Sequence, residues 1–477
     1  MSYISIVRGK IIETTGGSDT IYADNIIYEA KGTISQTGVE EGVSYEKDPE
    51  FHESNETLKG VKVFATIYFD GTKNNRNNTF RRLDKDTKSN TSEDSKTVYK
   101  NNKEKESSYE NGYSNVAALS YMAINDPKNK IITRYIEGQG TEDNQKGFKA
   151  GLGFGGGSTG IPAKATKGFG ILNTDINGVL DRTSEYVREL TINVFGFSRG
   201  AAAARHFITS TRANFKTNYP KAKIIYKFVG LFDSVSSYEK TNDGFWGIAG
   251  SATSHNFNND VAELGLNLGA IPQKIVHLVA GNEYRQNFAL TTISGSIKAG
   301  IGYELQIPGA HSDIGGGYEE YEHTETRYVN RDGWPSKKEW ISEGWYTEDQ
   351  LIGQHSENDP VNFDGVRKLT NSYQFVPLAI MMEFAKKHGI SFESIDLNVQ
   401  NKAFSVIPEL ESIRTELLNY AVSNDGATSA IATIEAVATL KKLRNKYLHI
   451  SANAQALGMK PNHVNSKLER QIIEDNV

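Results

Sequence analysis

The sequence predicts an α/β fold, a mostly parallel sheet flanked by helices, and three observations predict it. Compact apolar runs that end in Asp or Gly recur along the chain, as in "KVFATIYFDG" (62–71), "KIITRYIEG" (130–138) and "KIIYKFVGLFD" (223–233). Such runs are the pattern of strands buried on both faces. A helical stretch, "SNVAALSYMAI", lies between two of them, with Val116, Leu119, Tyr121 and Met122 at helical spacing. Strand, helix, strand is the grammar of a parallel sheet. The third observation is "NVFGFSRGAAAARHF" (193–207), which passes from an apolar run through a tight turn into an alanine-rich run.

Taken in order, residues 1–58 have short β-like runs, "YISIVRGKII" and "TIYADNIIYEA", followed by a polar stretch. They predict a small N-terminal β-rich appendage and linker. Residues 59–395 hold the main domain, and 396–477 read as a helical C-terminal region. Within the main domain, 72–108 is almost wholly polar and reads as a long solvated loop. The glycine-rich segment 146–171 contains no phosphate-loop pattern and reads as a flexible insertion. Residues 172–189 carry Ile176, Val179, Leu180 and Val187 at helical intervals, so a helix is expected there.

Composition removes several classes of function. A formal net charge of −5 offers no excess of Lys and Arg to neutralise phosphates, so nucleic acid is not an expected partner. The chain has no cysteine, which excludes disulfide scaffolds, zinc–thiolate sites and cysteine nucleophiles. No basic segment followed by a long apolar run opens the sequence, and no apolar stretch reaches spanning length. The expectation is a protein without a cleavable signal peptide or a transmembrane helix.

The chemistry begins at Ser198. G-x-S-x-G between a strand and a helix is a nucleophile elbow: Gly196 and Gly200 lack side chains because neighbouring backbone crowds them, and the turn exposes the serine hydroxyl. A serine needs a base and an orienting carboxylate, which in α/β-hydrolases follow in the order Ser, acid, His. Asp233 ends the next strand, where catalytic groups of open α/β sheets gather, although a turn-forming Asp is also common there. His206 lies two turns along the helix and His277 lies inside a strand, so both read as packed histidines. His311 follows a strand, precedes a turn and comes after Asp233, which makes it the expected base. A metal site built on His311 and Asp313 would need ligands that local spacing does not supply, and no metal or cofactor is expected.

Five motifs in order, "IYFDGTKNN", "VFGFSRGAAAARHF", "VGLFDSVSS", "HLVAGNEYRQNF" and "GAHSDIGGGY", resemble the α/β-hydrolase domain of type VI secretion phospholipase effectors of the first lipase class. The resemblance spans roughly 60–390, and "SYQFVPLAIMMEFAKKHGI" fits its late helix. It implies a bacterial toxin that cleaves phospholipid esters in a rival cell's membrane. Such a protein waits in the bacterial cytoplasm and is exported into the target by a secretion apparatus engaged through the N-terminal region. A cognate immunity protein neutralises it at home. Position by position, Ser198 is the nucleophile, Asp233 the acid and His311 the base. The oxyanion hole is expected from the amide of Arg199 together with Gly71 or Thr72. Phe148, Leu152 and Phe154, with Ile161, Phe169 and Ile171, are expected to border the active-site mouth. Two alternatives stay open: a cytoplasmic esterase of unknown substrate, and a non-catalytic binding protein that retains the fold.

Overall fold

The computed structural model describes residues 58–104, 107–147, 158–237, 259–329, 334–353, 363–393, 404–453, 459–465 and 467–475. The chain divides into two compact units, 1–57 and 58–477. The first lies outside the described residues, and so does the expected N-terminal appendage.

In chain order the second unit begins with β1 (Lys59–Phe69), α1 (Arg76–Asp84), α2 (Ser92–Asn102), α3 (Asn115–Met122), β2 (Ile131–Ile136), α4 (Ile161–Gly178), β3 (Glu185–Phe197) and α5 (Arg199–Asn218). It continues with β4 (Lys223–Phe232), β5 (Lys274–Ala280), β6 (Leu290–Thr291), β7 (Gly302–Ile307), the single turn α6 (His311–Gly315), β8 (His323–Val329), β9 (Leu351–Gly353), β10 (Phe363–Leu369) and α7 (Phe375–Lys387). It ends with α8 (Glu411–Ser423), β11 (Thr428–Ile431), α9 (Val437–Lys446), β12 (His463–Val464), β13 (Lys467–Leu468) and β14 (Ile472–Ile473).

Seven strands form one sheet in the order β11-β7-β5-β4-β3-β1-β2, and every neighbouring pair is parallel. This is the expected α/β architecture. The alternation of side chains along each strand builds two apolar layers. Val63, Ala65, Ile67 and Phe69 of β1 and Leu190, Ile192 and Val194 of β3 face one layer, which Ala201–Ala204 and Phe207 of α5 complete. Tyr68, Phe195 and Phe197 face the other, with Leu119 of α3 and Met381 and Phe384 of α7. The chain leaves β1 toward β2 on one side and returns through β3 to the other, so the strand order reverses between β1 and β3. A crevice opens at the carboxyl ends of strands at such a point, and ligands of open α/β sheets bind there.

Three local expectations need correction. Residues 72–108 are not a solvated loop throughout, because α1 and α2 lie within them. What orders them is polar: Asn75 caps α1 by accepting from the amides of Asn77 and Asn78, and the buried Asp84 accepts from the hydroxyls of Thr87, Ser89, Thr91 and Ser95. Apolar periodicity cannot register a segment held in this way. The helix expected over 172–189 runs instead from Ile161 to Gly178, with Pro162 in its first turn, and β3 has begun by Glu185. Proline is favoured at a helix start, where its missing N–H would have no partner. The same helix absorbs the end of the glycine-rich segment, so Ile161 is core and Phe169 packs edge-on against Phe215 at 4.9 Å. Beyond α8 and α9, the described residues of the C-terminal region also supply β11 at the edge of the main sheet and β14, which pairs with β6.

Candidate active site

The elbow forms where β3 meets α5. Ser198 has φ 58° and ψ −129°, a conformation that a side-chain-bearing residue holds only under constraint. Its amide donates to the Phe232 carbonyl at 3.0 Å, and its carbonyl accepts from Ala201 at 3.0 Å. Both flanking glycines are required by close backbone approach: a Cβ on Gly196 would stand 2.5 Å from the Gly200 carbonyl oxygen, and one on Gly200 would stand 2.2 Å from that of Asp70. The contact at Gly200 brings the end of β1 against the elbow, on the switch-point side of the sheet.

Asp233 follows β4 directly, also at positive φ, 43°, and is inaccessible to solvent. His311 opens α6, just after β7. His311 Nδ1 donates to Asp233 Oδ2 at 2.5 Å, while Asp233 Oδ1 accepts from the Ala280 amide at 2.9 Å. With the proton on Nδ1, the other ring nitrogen, Nε2, is the basic one. Burial alone would raise the Asp233 carboxyl, but the Arg470 guanidinium and the bond to His311 outweigh it and hold the group well below the usual carboxylate range. Burial pushes His311 down, and its bond to Asp233 only partly restores it. The imidazole is walled by Phe197, centroid 4.7 Å away, and by Phe288, edge-on at 5.0 Å. Phe197 immediately precedes Ser198 and Asp233 immediately follows the acceptor of the Ser198 amide. Asp233 and His311 are thus joined by a hydrogen bond, and Ser198 stands at the end of β3, the strand beside the β4 that Asp233 follows.

The end of β1 forms a second polar cluster. Asp70 accepts from the Gly71 amide at 2.7 Å and from the Tyr135 hydroxyl at 2.6 Å. Burial raises its carboxyl to about 6, against these hydrogen bonds. The Gly71 amide is thus already engaged, while the buried Thr72 hydroxyl oxygen has no hydrogen-bond partner. His277 is buried: its Nε2 accepts from the Ser234 amide at 2.9 Å and its Nδ1 faces Glu304 at 2.9 Å. His206 donates to the Leu264 carbonyl at 2.7 Å. Asp313 turns to His449, 2.7 Å away, rather than joining His311, and no group of three or more metal-ligating side chains occurs among the described residues. Phe148, Leu152 and Phe154 lie outside the described residues.

Residues 207–332 match the family model described as "T6SS, Phospholipase effector Tle1-like, catalytic domain". The chain resembles the type VI secretion phospholipase effectors. The segment matching the Tle1-like model contains Asp233 and His311 and begins just after the elbow. Among solved structures, one described as "Structure of the Tle1 effector bound to the VgrG spike from the Type 6 secretion system" is similar with a TM-score of 0.56 and 21% identity. The match covers 92% of this chain and 98% of that one, and it shows a shared fold. An uncharacterized protein from Pseudomonas aeruginosa is similar with a TM-score of 0.42 and 15% identity, over 83% of this chain and 54% of that one. No curated protein matches the chain. The likeness thus lies in a catalytic-domain segment of the chain and in its fold.

Sequence reading of this site missed Glu283, Arg285 and Arg470. Glu283 is buried, pairs with Arg285 at 2.8 Å and accepts from the His311 amide at 3.3 Å. Arg285 spreads over the Phe288 ring, 3.3 Å from its centroid. Both stand just beyond the end of β5, and that position is the signal that could have found them. Arg470 has no comparable signal, since nothing near it in the sequence marks a strand end or a turn of the sheet.

Proposed function

We propose that the protein is a serine hydrolase that cleaves carboxylic ester bonds of membrane phospholipids, acting as an antibacterial type VI secretion effector inside a target cell. The observation that carries the reading is the buried Asp233–His311 pair at the strand ends beside a strained Ser198 elbow, in a chain with a Tle1-like segment. Packing gives no reason for a serine to be held at φ 58°, so a binding protein that merely retains the fold is the poorer account.

In this reading His311 Nε2 takes the Ser198 proton as Oγ attacks the ester carbonyl. The Arg199 amide stabilises the oxyanion, with Thr72 as its second donor, because Asp70 already holds the Gly71 amide. His311 then protonates the leaving alcohol, which is a lysophospholipid if a phospholipid is cut, and the acyl group stays on Ser198. Water, deprotonated by His311, releases the fatty acid and restores the serine. Asp233 keeps the proton on Nδ1 throughout. No metal or cofactor enters any step. Phe148, Leu152 and Phe154 are retained as the proposed membrane-facing border. The 1–57 unit docks to a spike component, as the similar Tle1 effector is described as bound to VgrG, and a cognate immunity protein protects the producing cell.

The test is fluorophosphonate labelling together with fatty-acid release from vesicles of mixed bacterial phospholipids. The wild-type chain should label and release fatty acid, and Ser198→Ala should do neither. Turnover by Ser198→Ala near the wild-type rate overturns the reading.

A further inference from the structure

We propose that Arg470, near the end of the chain, is a positioning residue for the hydrolysis: it clamps both oxygens of Asp233, fixes the carboxylate toward His311 and offsets its charge, so that His311 remains a free base in mildly acidic conditions. The inference rests on the Ser198, Asp233 and His311 reading above. Arg470 Nη1 donates to Asp233 Oδ1 at 2.6 Å and Nη2 to Oδ2 at 2.9 Å, a two-pronged pair with only 9% of the arginine side chain exposed. Its third nitrogen, Nε, donates to the Phe288 carbonyl at 2.8 Å, and the Phe288 ring walls the His311 imidazole. One guanidinium therefore holds both the acid and the wall beside the base.

The backbone around Arg470 is fixed from two directions. The Leu290 amide donates to the Gln471 carbonyl at 2.8 Å, and β14 lies parallel to β6. Asp475 forms a fully buried pair with Arg205 at 2.6 Å, and Arg205 belongs to the same helix, α5, that Ser198 caps. The segment from Arg470 to Asp475 is thus tied to the elbow helix at one point and to the acid at another.

Charge bookkeeping around His311 makes Arg470 the deciding group. The charged side chains facing the imidazole are Asp233, which Arg470 pairs, and Glu283, which Arg285 pairs. Phe197 and Phe288 supply the remaining walls, and the Ser451 hydroxyl donates to Glu283 at 2.7 Å. With Glu283 and Arg285 cancelling each other, the field on His311 depends on how far the Asp233 charge is offset. An unopposed carboxylate favours imidazolium, whereas a carboxylate paired with Arg470 favours it less. Lysine would supply the charge without the planar fork that grips two oxygens.

The experiment uses the full chain and a soluble p-nitrophenyl ester, with kcat/KM measured against pH for Arg470→Gln and Arg470→Lys. The acid limb of Arg470→Gln should move up by roughly one pH unit, the lower end of the shift expected from one neighbouring charge. Arg470→Lys should keep the wild-type limb while its plateau kcat/KM falls. Added guanidinium ion, at millimolar concentration, should restore activity to Arg470→Ala, a rescue that loss of packing would not show. A folded Arg470→Gln with the wild-type limb overturns the proposal, as does a lysine variant whose limb moves as far as that of the glutamine variant. The lysine and guanidinium arms decide the matter if the glutamine variant does not fold. If Ser198→Ala is inactive while the Arg470 profiles are unchanged, the positioning role alone fails; if Ser198→Ala stays active, the underlying triad fails.

Discussion

Ser198 sits at φ 58° and ψ −129° because its amide, its carbonyl and both flanking glycines are held from outside, and the strain amounts to about 1–3 kcal/mol. Glycine adopts this conformation without strain, so Ser198→Gly should raise stability by about 1 kcal/mol while abolishing hydrolysis. Ser198→Ala should leave stability nearly unchanged. Thermal unfolding of the two variants beside the wild type checks the pair. Asp233→Asn and His311→Ala should each lower kcat by on the order of 10³ to 10⁶, read as initial rates on a soluble ester. The pH profile belongs to the same scale. Burial depresses His311 below its ordinary 6.5, so the free base persists to lower pH and the acid limb of kcat/KM should have its midpoint below 6.5. Glu283 gives the stability counterpart. Burial would raise its carboxyl, but Arg285 outweighs that and holds it at about 2, against 4.5 in an unfolded chain. The stabilisation this provides is present above about 4.5 and is lost as pH falls toward 2. Glu283→Gln should therefore flatten the dependence of unfolding free energy on pH across that window, measured by denaturant titration at several pH values.

Elements, rather than single residues, decide where the elbow points. The register that puts Phe69 beside Gly196 and Phe197 beside Phe232 brings the ends of β1, β3 and β4 level, and Gly200 lets α5 leave directly over the end of β1. Gly200→Val should push the Asp70 backbone away at a cost of about 3 kcal/mol, the upper end of overpacking penalties, and should also suppress fluorophosphonate labelling. Differential calorimetry and labelling on one preparation test both effects. At the other end of the chain, Arg205 has no exposed surface and Asp475 is its carboxylate partner. Asp475→Ala leaves the guanidinium buried without it, so a loss of about 3–5 kcal/mol is expected in urea unfolding. The polar helices α1 and α2 show where element-level reading failed. Asp84 and its four hydroxyl donors span residues 84–95, and none of them contributes to an apolar stripe.

At the scale of the whole molecule, 1–57 and 58–477 are separate compact units, and the sheet, the elbow and the polar groups around it all lie in the second. Residues 58–477 produced alone should fold and hydrolyse a soluble ester at close to the full-length rate, while binding to a spike component is lost. A fragment that is folded but inactive on the soluble ester would show that the first unit contributes to catalysis. No helix among the described residues is long and apolar enough to cross a membrane. Under the proposed role of Phe148, Leu152 and Phe154 at the active-site mouth, replacing the three with serine should reduce activity on vesicles far more than activity on the soluble ester.

By itself the sequence determined the parallel strands, the strand–turn–helix elbow at Ser198 and the strand-end positions of Asp233 and His311. Each is written within a stretch of roughly fifteen residues: an apolar run sets burial, a glycine or aspartate sets where the run stops, and in a parallel sheet that stop is where reactive groups collect. The placement of Ser198, Asp233 and His311 at strand ends was legible for that reason, and that of Gly196 and Gly200 because a turn so tight admits no side chain. Only the tertiary structure decided which groups control the charge of that site. Arg470 lies 237 residues from Asp233 along the chain, and Asp475 lies 270 from Arg205. No periodicity links such positions. They meet because the C-terminal segment folds back along β6, and two buried carboxylates hold it there, each needing a cation that no neighbour in sequence supplies.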